Sequence, residues 1–249
     1  MRLVTCNIWS GRGADGLVDP ERLSRVLAGL DADVLALQEV DRDQDRSGGA
    51  DLAVVVAQAC GALHHRFAPA LLGVPDGRWS VPHDGVDPGG PAYGVALVTR
   101  YPVTGWAVLP LPPLAGRVPY RWPGDRWPST VRDEPRIALR ATVATPFGAV
   151  TVVTTHLSFL PVSRTRQLRR LARALPREGP LVLLGDLNLG LRTAVRATGL
   201  AAEPVGPTFP ADAPVRQIDH LLRRGLPPPS YAAAVHTEVS DHRAVVADW

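Results

Sequence analysis

The sequence of 249 residues predicts a single α/β domain, residues 1–249, in which helices cover a mixed β-sheet or two packed sheets. Short apolar runs alternate with helical patterns along the chain. Two of these runs, "RIALRATV" and "AVTVVTTH", are joined by "TPFG" and predict a hairpin, so part of the sheet is antiparallel. We find no repeat and no linker that would divide the chain.

The first half of the chain predicts three strands and two helices. The chain opens with the strand "RLVTCNIW", and the helix "DPERLSRVLAGL" follows with Asp19 as N-cap and Pro20 at its first position. Next come the strand "DVLALQEV" and the helix "GADLAVVVAQACG", which Gly61 closes. The third strand is "YGVALVTR".

After the hairpin, the second half predicts one helix and four more strands. The helix is "SRTRQLRRLARAL", with Ser163 as its cap, and the strands are "PLVLLGDLN", "RQIDHLLR", "YAAAVHT" and "HRAVVADW". Two stretches rich in Pro and Gly, residues 73–91 and 110–135, fit neither pattern. Long loops with Trp, Tyr and Arg favour a role at the rim of a substrate site.

Composition narrows the class of protein. Hydrophobic residues make up 45% of the chain and charged residues 20%, as in a soluble enzyme with a sizeable core. The apolar runs are too short to span a bilayer, and no signal peptide is visible. Cys6 and Cys60 are expected as buried thiols, which predicts a cytoplasmic protein. Every basic residue is Arg, and the absence of Lys excludes a Walker-type phosphate loop.

One motif points to a different enzyme class. The stretch "GRGADG", residues 11–16, matches the glycine pattern of dinucleotide-binding folds, and Glu39 closes the next strand where a ribose-binding acid is expected. However, the cap and Pro20 start the helix beyond the motif, so the glycines predict a loop rather than a helix N-terminus at a pyrophosphate. A dinucleotide-dependent oxidoreductase is therefore a distant alternative.

Polar side chains occur at the ends of several apolar strands, where α/β enzymes build their sites. Each one alone is more often structural, but together they predict an active site. Glu39 and Asp241 offer hard oxygen ligands that suit Mg²⁺, with Mn²⁺ also possible. Asp186 can bind metal or activate water, and two imidazoles allow acid–base chemistry on a phosphate. The complete set is Asn7, Glu39, His156, Asp186, Asn188, Asp219, Asp241 and His242.

At these residues the chain resembles the endonuclease/exonuclease/phosphatase superfamily, the fold of pancreatic deoxyribonuclease. The ordered series is "TCNIW", "LQEV", "YGVALVTRYPV", "THL", "GDLN", "IDHLL" and "SDHRAVVADW", which covers almost the whole chain. The resemblance implies a four-layer α/β/β/α sandwich of two mixed β-sheets flanked by helices, with the site between the sheets.

The resemblance also implies roles for the site residues. Glu39 and Asp241 would be metal ligands, while Asn7 and Asn188 would hold the metal site and the scissile phosphate. Asp186 would orient or deprotonate the attacking water. Three further expectations concern the imidazoles and an arginine. His242 would pair with Asp219 and act at the phosphate, and His156 would stabilise the phosphate or protonate the leaving oxygen. Arg136 is expected to bind substrate.

The branch of the superfamily sets the substrate prediction. Trp9 stands where apurinic-site endonucleases carry Asp, and "RQIDHLL" stands where inositol polyphosphate phosphatases carry a Trp-Cys-Asp-Arg stretch. The closest resemblance is to compact bacterial metal-dependent hydrolases. A phosphodiester, with nucleic acid as the leading class, is the predicted substrate. The alternatives are a phospholipid head group, a small phosphate ester and a binding module with a dead site, and no protein partner is predicted.

Overall fold

The computed structural model describes residues 1–75, 77–82, 87–122 and 124–249. The prediction of a substrate rim for residues 73–91 and 110–135 therefore lies partly outside the described residues. Four α-helices are found in the described part of the chain: α1 (Pro20–Gly29), α2 (Leu52–Ala59), α3 (Pro161–Ala174) and α4 (Leu191–Thr198). None of the described helices combines the length and the apolar character needed to cross a membrane.

The described part of the chain also contains fifteen β-strands. In chain order they are β1 (Arg2–Asn7), β2 (Val34–Arg42), β3 (His64–Gly73), β4 (Trp79–Ser80), β5 (Ala92–Thr99), β6 (Val103–Leu111), β7 (Arg117–Tyr120), β8 (Ser129–Arg132), β9 (Arg136–Thr145), β10 (Gly148–His156), β11 (Leu181–Asp186), β12 (Ala201–Ala202), β13 (Asp219–Arg224), β14 (Tyr231–Val235) and β15 (Ala244–Asp248).

Two large mixed sheets contain most of these strands. The first has the order β14-β15-β1-β2-β5-β3-β4, and the second has the order β12-β13-β11-β10-β9-β6. In the first sheet β1 is parallel to β2 and antiparallel to β15. In the second sheet β10 is parallel to β11 and antiparallel to β9, which confirms the predicted hairpin.

Three apolar clusters show how the layers stack. Helices α1 and α2 cover the outer face of the first sheet, where Leu23 packs in one cluster with Val4. Helices α3 and α4 cover the outer face of the second sheet, where Leu168 packs with Leu183. The third cluster lies between the sheets and joins residues of both, such as Leu3 and Leu184. The fold is thus the predicted α/β/β/α sandwich.

The beginnings of helices follow local sequence signals in two cases and depart from them in one. Asp19 accepts a hydrogen bond from the Arg22 backbone at 2.9 Å and caps α1, and Asp51 caps α2 in the same way. The prediction that Ser163 caps α3 is wrong. The helix begins earlier, at Pro161, and Ser163 lies inside its first turn, where its hydroxyl donates to Asp133 Oδ2.

The glycine motif at residues 11–16 forms a loop, as predicted. Helix α1 begins at Pro20, beyond the last glycine, so the helix does not open within the motif. The dinucleotide-binding alternative therefore has no support in this geometry.

Part of the stretch 110–135 is a two-stranded hairpin, β7–β8, that stands apart from both sheets. It is tied to the second sheet by the buried carboxylate of Asp133. Asp133 Oδ1 accepts from Ser158 Oγ at 2.6 Å, and Asp133 Oδ2 accepts from the Leu114 backbone at 2.7 Å and from Ser163 Oγ. The hairpin is thereby held beside the segment that follows His156.

Candidate active site

The predicted site residues meet at one edge of the sandwich because the strands that carry them end there. In the second sheet His156 and Asp186 are cross-strand partners at the ends of β10 and β11, and Asp186 is also the partner of Asp219 at the start of β13. In the first sheet Asn7 ends β1 beside β2, which carries Glu39. The Asn7 amide spans the gap between the sheets and donates to Asp186 Oδ2 at 3.3 Å.

Asp186 is the centre of this group. Besides Asn7, its carboxylate accepts a hydrogen bond from the Asn188 backbone at 2.9 Å. Its Oδ2 lies 3.5 Å from His156 Nε2 and 3.8 Å from His242 Nε2. Burial, followed by the charge of Asp219, raises the pKa of Asp186 to about 7. A carboxylate with such a pKa can take a proton near neutral pH.

Glu39 is held in an unusual backbone conformation. Its φ is +56°, and the pairing of β2 with β5 shifts register at this point. A positive φ is costly for a residue other than glycine and is typical of functional sites. Asn7 Nδ2 donates to Glu39 Oε1 at 3.0 Å, while Asn7 Oδ1 accepts from the Trp9 backbone at 3.1 Å and so fixes the orientation of the amide. Burial, together with the charge of Asp241, raises the pKa of Glu39.

His242 is held as a cation by a buried partner. Its Nδ1 donates to Asp219 Oδ2 at 2.9 Å, and Thr208 Oγ1 donates to the same oxygen at 2.6 Å. Burial opposes protonation of the ring, but the charge and hydrogen bond of Asp219 raise the pKa of His242 to about 10. Ser240 Oγ accepts from the His242 backbone at 3.0 Å and donates to the Asn7 carbonyl at 2.6 Å.

His156 is in the opposite protonation state. Burial and the neighbouring Arg136 charge hold the pKa of His156 well below its usual value, so the ring is neutral. Arg136 Nη1 lies 3.2 Å from His156 Nδ1, and a guanidinium can only donate, so Nδ1 is the acceptor and Nε2 carries the proton. That N–H faces the centre of the site beside Asp186. Asn188 Nδ2 lies 3.4 Å from His156 Nε2, but its shorter hydrogen bond is to the Leu157 carbonyl at 2.9 Å.

The carboxylate oxygens of Glu39 and Asp241 are of the type that binds a divalent cation. Burial raises the pKa of Glu39 and the pKa of Asp241, and the charge of His242, whose Nε2 lies 4.0 Å from Asp241 Oδ1, only partly opposes this. Asp186, Asp219 and His242 also lie within 4.8 Å of one another. Asp219 and His242, however, already share a hydrogen bond, and a protonated imidazole is a poor ligand. Glu39 and Asp241 offer a second pair of hard oxygen atoms that a divalent cation could take.

Sequence reasoning missed several groups that hold these residues in place. Thr208 and Ser240 support the Asp219–His242 pair, and Glu134 Oε2 lies 3.1 Å from Arg136 Nη2. Ser240 directly precedes Asp241, so its place was visible, but its hydrogen bond to the distant Asn7 carbonyl was not. Thr208 lies in a stretch without strand or helix signals.

Comparisons with known proteins agree with this fold. A search of curated proteins finds no significant match. Among solved structures, an endonuclease/exonuclease/phosphatase from Beutenbergia cavernae is 25% identical with a TM-score of 0.71, covering 99% of this chain and 70% of that one. D. rerio TDP2 complexed with a single-strand DNA product is 16% identical with a TM-score of 0.64, covering 99% and 97%.

A third structure, a mannosyl-6-phosphatase from Bacteroides thetaiotaomicron, is 14% identical with a TM-score of 0.61, covering 100% of this chain and 98% of that one. The family model described as "Endonuclease/Exonuclease/phosphatase family" matches residues 4–242, a span that includes all the predicted site residues. The chain therefore belongs to the endonuclease/exonuclease/phosphatase family, whose members are hydrolases.

Proposed function

We propose that this protein is a divalent-metal-dependent phosphodiesterase, with nucleic acid as its leading substrate class. The observation that carries the proposal is the arrangement around Asp186. A carboxylate with a pKa near neutrality lies between a protonated imidazole, His242, and a neutral one, His156, whose N–H faces inward. Hydrolysis of a phosphate ester needs a proton acceptor for water and donors for the phosphate and the leaving oxygen.

Asp186 is the proposed proton acceptor. Its Oδ1 is occupied by the Asn188 backbone, while Oδ2 faces both imidazoles and the Asn7 amide. Water bound at this carboxylate would give up its proton as it attacks phosphorus. Asn188 and Asn7 orient the carboxylate without adding negative charge near a phosphate.

The two histidines are the proposed donors to phosphate. His242 carries a positive charge that Asp219 stabilises, so it can neutralise charge on a phosphoryl oxygen. His156 donates through Nε2 to a phosphoryl oxygen or to the leaving oxygen. Arg136 holds His156 in the required tautomer at 3.2 Å, which makes it a positioning residue. Direct contact of Arg136 with substrate remains a prediction.

Glu39 and Asp241 are the proposed ligands of the divalent cation, with Mg²⁺ the leading ion and Mn²⁺ possible. When bound, the cation supplies Lewis-acid stabilisation of the charge on the phosphate. The amide nitrogen of Asn7 faces Glu39 and Asp186, so in this orientation Asn7 supports the ligands rather than offering its oxygen.

The function is tested with generic and natural phosphodiesters. We expect hydrolysis of bis(p-nitrophenyl) phosphate and cleavage of single-stranded DNA or RNA in the presence of Mg²⁺ or Mn²⁺, and loss of both activities in EDTA. Folded protein that hydrolyses none of these substrates with either ion would reject the proposal.

Metal binding has a separate readout in stability. Burial raises the pKa values of Glu39, Asp186 and Asp241. When these carboxyls are protonated they stabilise the folded state. That stabilisation is lost as pH rises through their pKa values in the folded protein, which is about 7 for Asp186. A cation relieves the repulsion that remains. We therefore expect Mg²⁺ or Mn²⁺ to raise Tm more at pH 8 than at pH 5, as measured by differential scanning fluorimetry.

The matched variants for this measurement are Glu39→Gln and Asp241→Asn, which keep the shape of the side chain and remove its charge. Both should abolish most of the metal-dependent rise in Tm. An equal rise in these variants and in the unchanged protein would place the cation elsewhere.

A second candidate substrate is a phospholipid head group. The observation that favours it is exposed aromatic surface on the β7–β8 hairpin, since Trp122 is 44% exposed and Trp127 is 73% exposed. Co-sedimentation with phosphatidylcholine liposomes and release of phosphocholine would support this substrate over nucleic acid.

A further inference from the structure

An aromatic cluster lies beside the candidate site. It consists of Tyr120 and Trp122 from the β7–β8 hairpin and Phe159, three residues after His156. Ring centroids are 5.0 Å apart for Tyr120 and Trp122, 5.1 Å for Tyr120 and Phe159, and 5.2 Å for Trp122 and Phe159. Trp122 and Phe159 are stacked with an interplanar angle of 30°, and Trp122 remains 44% exposed.

Arg164, in the first turn of α3, connects this cluster to the site. Its Nη1 donates to the Phe159 carbonyl at 3.1 Å, and its Nε is buried without a hydrogen-bond partner among the described residues. Burial lowers the pKa of Arg164, whereas Tyr120 and Asp186 are both close enough for their charges to raise it. Arg164 therefore adjoins the aromatic cluster through Phe159, and the charge of Asp186 acts on its guanidinium.

A second arginine reaches the same region from another loop. Arg216 lies over the ring of Phe209 at 5.2 Å, and Phe209 in turn contacts the ring of His242 at 4.7 Å. The positive charge of Arg216 also acts on Arg164. Within the described residues neither guanidinium forms an ion pair with a carboxylate. Two arginines that repel each other beside a phosphate site are a favourable place for a second anion.

We propose that Arg164 and Arg216 bind the phosphate next to the scissile phosphate of a single-stranded nucleic acid, and that the aromatic cluster stacks one of its unpaired bases. The inference deepens the proposed function and rests on it for the position of the scissile phosphate. The cluster and the two arginines would then make the enzyme prefer a polynucleotide strand over a small substrate that contains a single phosphodiester.

The combination of an aromatic cluster with two arginines favours a single-stranded nucleic acid over a duplex or a lipid head group. Stacking on aromatic side chains requires an accessible base face, which a paired base inside a duplex does not offer. The arginines provide bidentate donors for phosphate, and the hairpin adds two exposed arginines, Arg121 and Arg126, that attract a polyanion. A lipid head group would use one phosphate and would leave the second anion site without a partner.

The test measures binding in EDTA, so that it does not depend on hydrolysis. The probe is a short fluorescein-labelled oligothymidylate, followed by fluorescence anisotropy over a range of salt concentrations. We expect Arg164→Met to raise Kd ~10-fold and to reduce the slope of log Kd against log salt by about 0.7, the value for loss of one phosphate contact on a single strand. Arg216→Ala should act in the same direction, and Trp122→Ala should raise Kd ~5-fold or more through lost stacking.

The control variant is Arg169→Met, which removes an exposed arginine from the same helix and should leave Kd within about twofold. Arg216 is exposed, so its variant keeps the test valid even where Arg164→Met lowers Tm. The inference is overturned if Arg164→Met and Arg216→Ala bind as the unchanged protein does. It is also overturned if a duplex binds as tightly as the single strand, or if Trp122 governs binding of anionic vesicles but not of the oligonucleotide.

The two proposals fail separately. A protein that hydrolyses bis(p-nitrophenyl) phosphate but binds oligothymidylate without regard to Arg164 and Arg216 would retain the proposed function and reject this inference. A protein that binds oligothymidylate through these arginines but hydrolyses no phosphodiester would reject the proposed function and retain the binding site.

Discussion

Replacement of Asp186 by Asn is expected to lower kcat for phosphodiester hydrolysis by ~10³-fold or more, because it removes the proposed proton acceptor at the centre of the site. The change keeps the size of the side chain. Its oxygen can still accept from the Asn188 backbone at the position where Asp186 Oδ1 does so at 2.9 Å. The fold should therefore survive. Steady-state hydrolysis of bis(p-nitrophenyl) phosphate measures the loss, and circular dichroism checks the fold.

The control for this variant is Asp43→Asn. Asp43 is an exposed carboxyl with a φ of +52°, a conformation that Asn accepts readily. Its hydrolysis should match that of the unchanged protein. If Asp186→Asn retained a rate within a few-fold of the unchanged protein, Asp186 would not be the acceptor, and the assignment of both imidazoles around it would have to change.

Gly185→Ala is expected to lower the free energy of unfolding by about 3 kcal/mol or more, because a side chain cannot fit between β10 and β11 at this point. A Cβ on Gly185 would lie 2.1 Å from the Thr155 carbonyl oxygen, and the residue has a φ of +140°. Thr155 and Gly185 are cross-strand partners, next to the pair formed by His156 and Asp186. Urea denaturation measures the loss of stability.

The comparison variant is Gly105→Ala in the edge strand β6. A Cβ on Gly105 meets nothing within 4 Å, so its effect on stability should stay below about 1 kcal/mol. Any folded fraction of Gly185→Ala should also hydrolyse phosphodiesters slowly, since His156 and Asp186 would be pushed apart. Equal stability of the two variants would show that the strands can separate at Gly185 without cost.

The sequence predicts best those strands whose pattern comes from burial alone. The strands β1, β2, β5 and β11 lie inside the sandwich and appear in the sequence as continuous apolar runs. Besides the short strands β4, β7, β8 and β12, two long strands were not predicted, β3 and β6. Each contains a proline, Pro69 or Pro110, which normally argues against a strand. The structure accommodates Pro69 where the pairing of β3 with β5 shifts register, and Pro110 in an edge strand.

The candidate site was predictable at the level of residue types and strand ends, because polar residues after apolar strands are unusual enough to identify. Its electrostatics were not predictable. The opposite protonation states follow from burial and the Arg136 contact at His156 and from the Asp219 contact at His242. These contacts join segments far apart in sequence. The positive φ of Glu39 likewise leaves no local signal, since nothing in "LQEV" distinguishes it from an ordinary strand.

The hydrogen bond between Asn7 and Asp186 joins the two sheets at the edge where the site is assembled, and Gln38 and Thr154 make a second such bond at 3.0 Å. The first sheet carries Asn7 and Glu39, and Asp241 and His242 lie shortly before its strand β15, whereas the remaining site residues belong to the second sheet or its loops. Side-chain volumes in the middle of the sandwich set the spacing and lateral offset of these two rigid halves. The rate of hydrolysis therefore depends on packing far from the substrate. A methyl group gained or lost between the sheets would change the relative positions of the catalytic groups, and so the rate, without contacting the substrate.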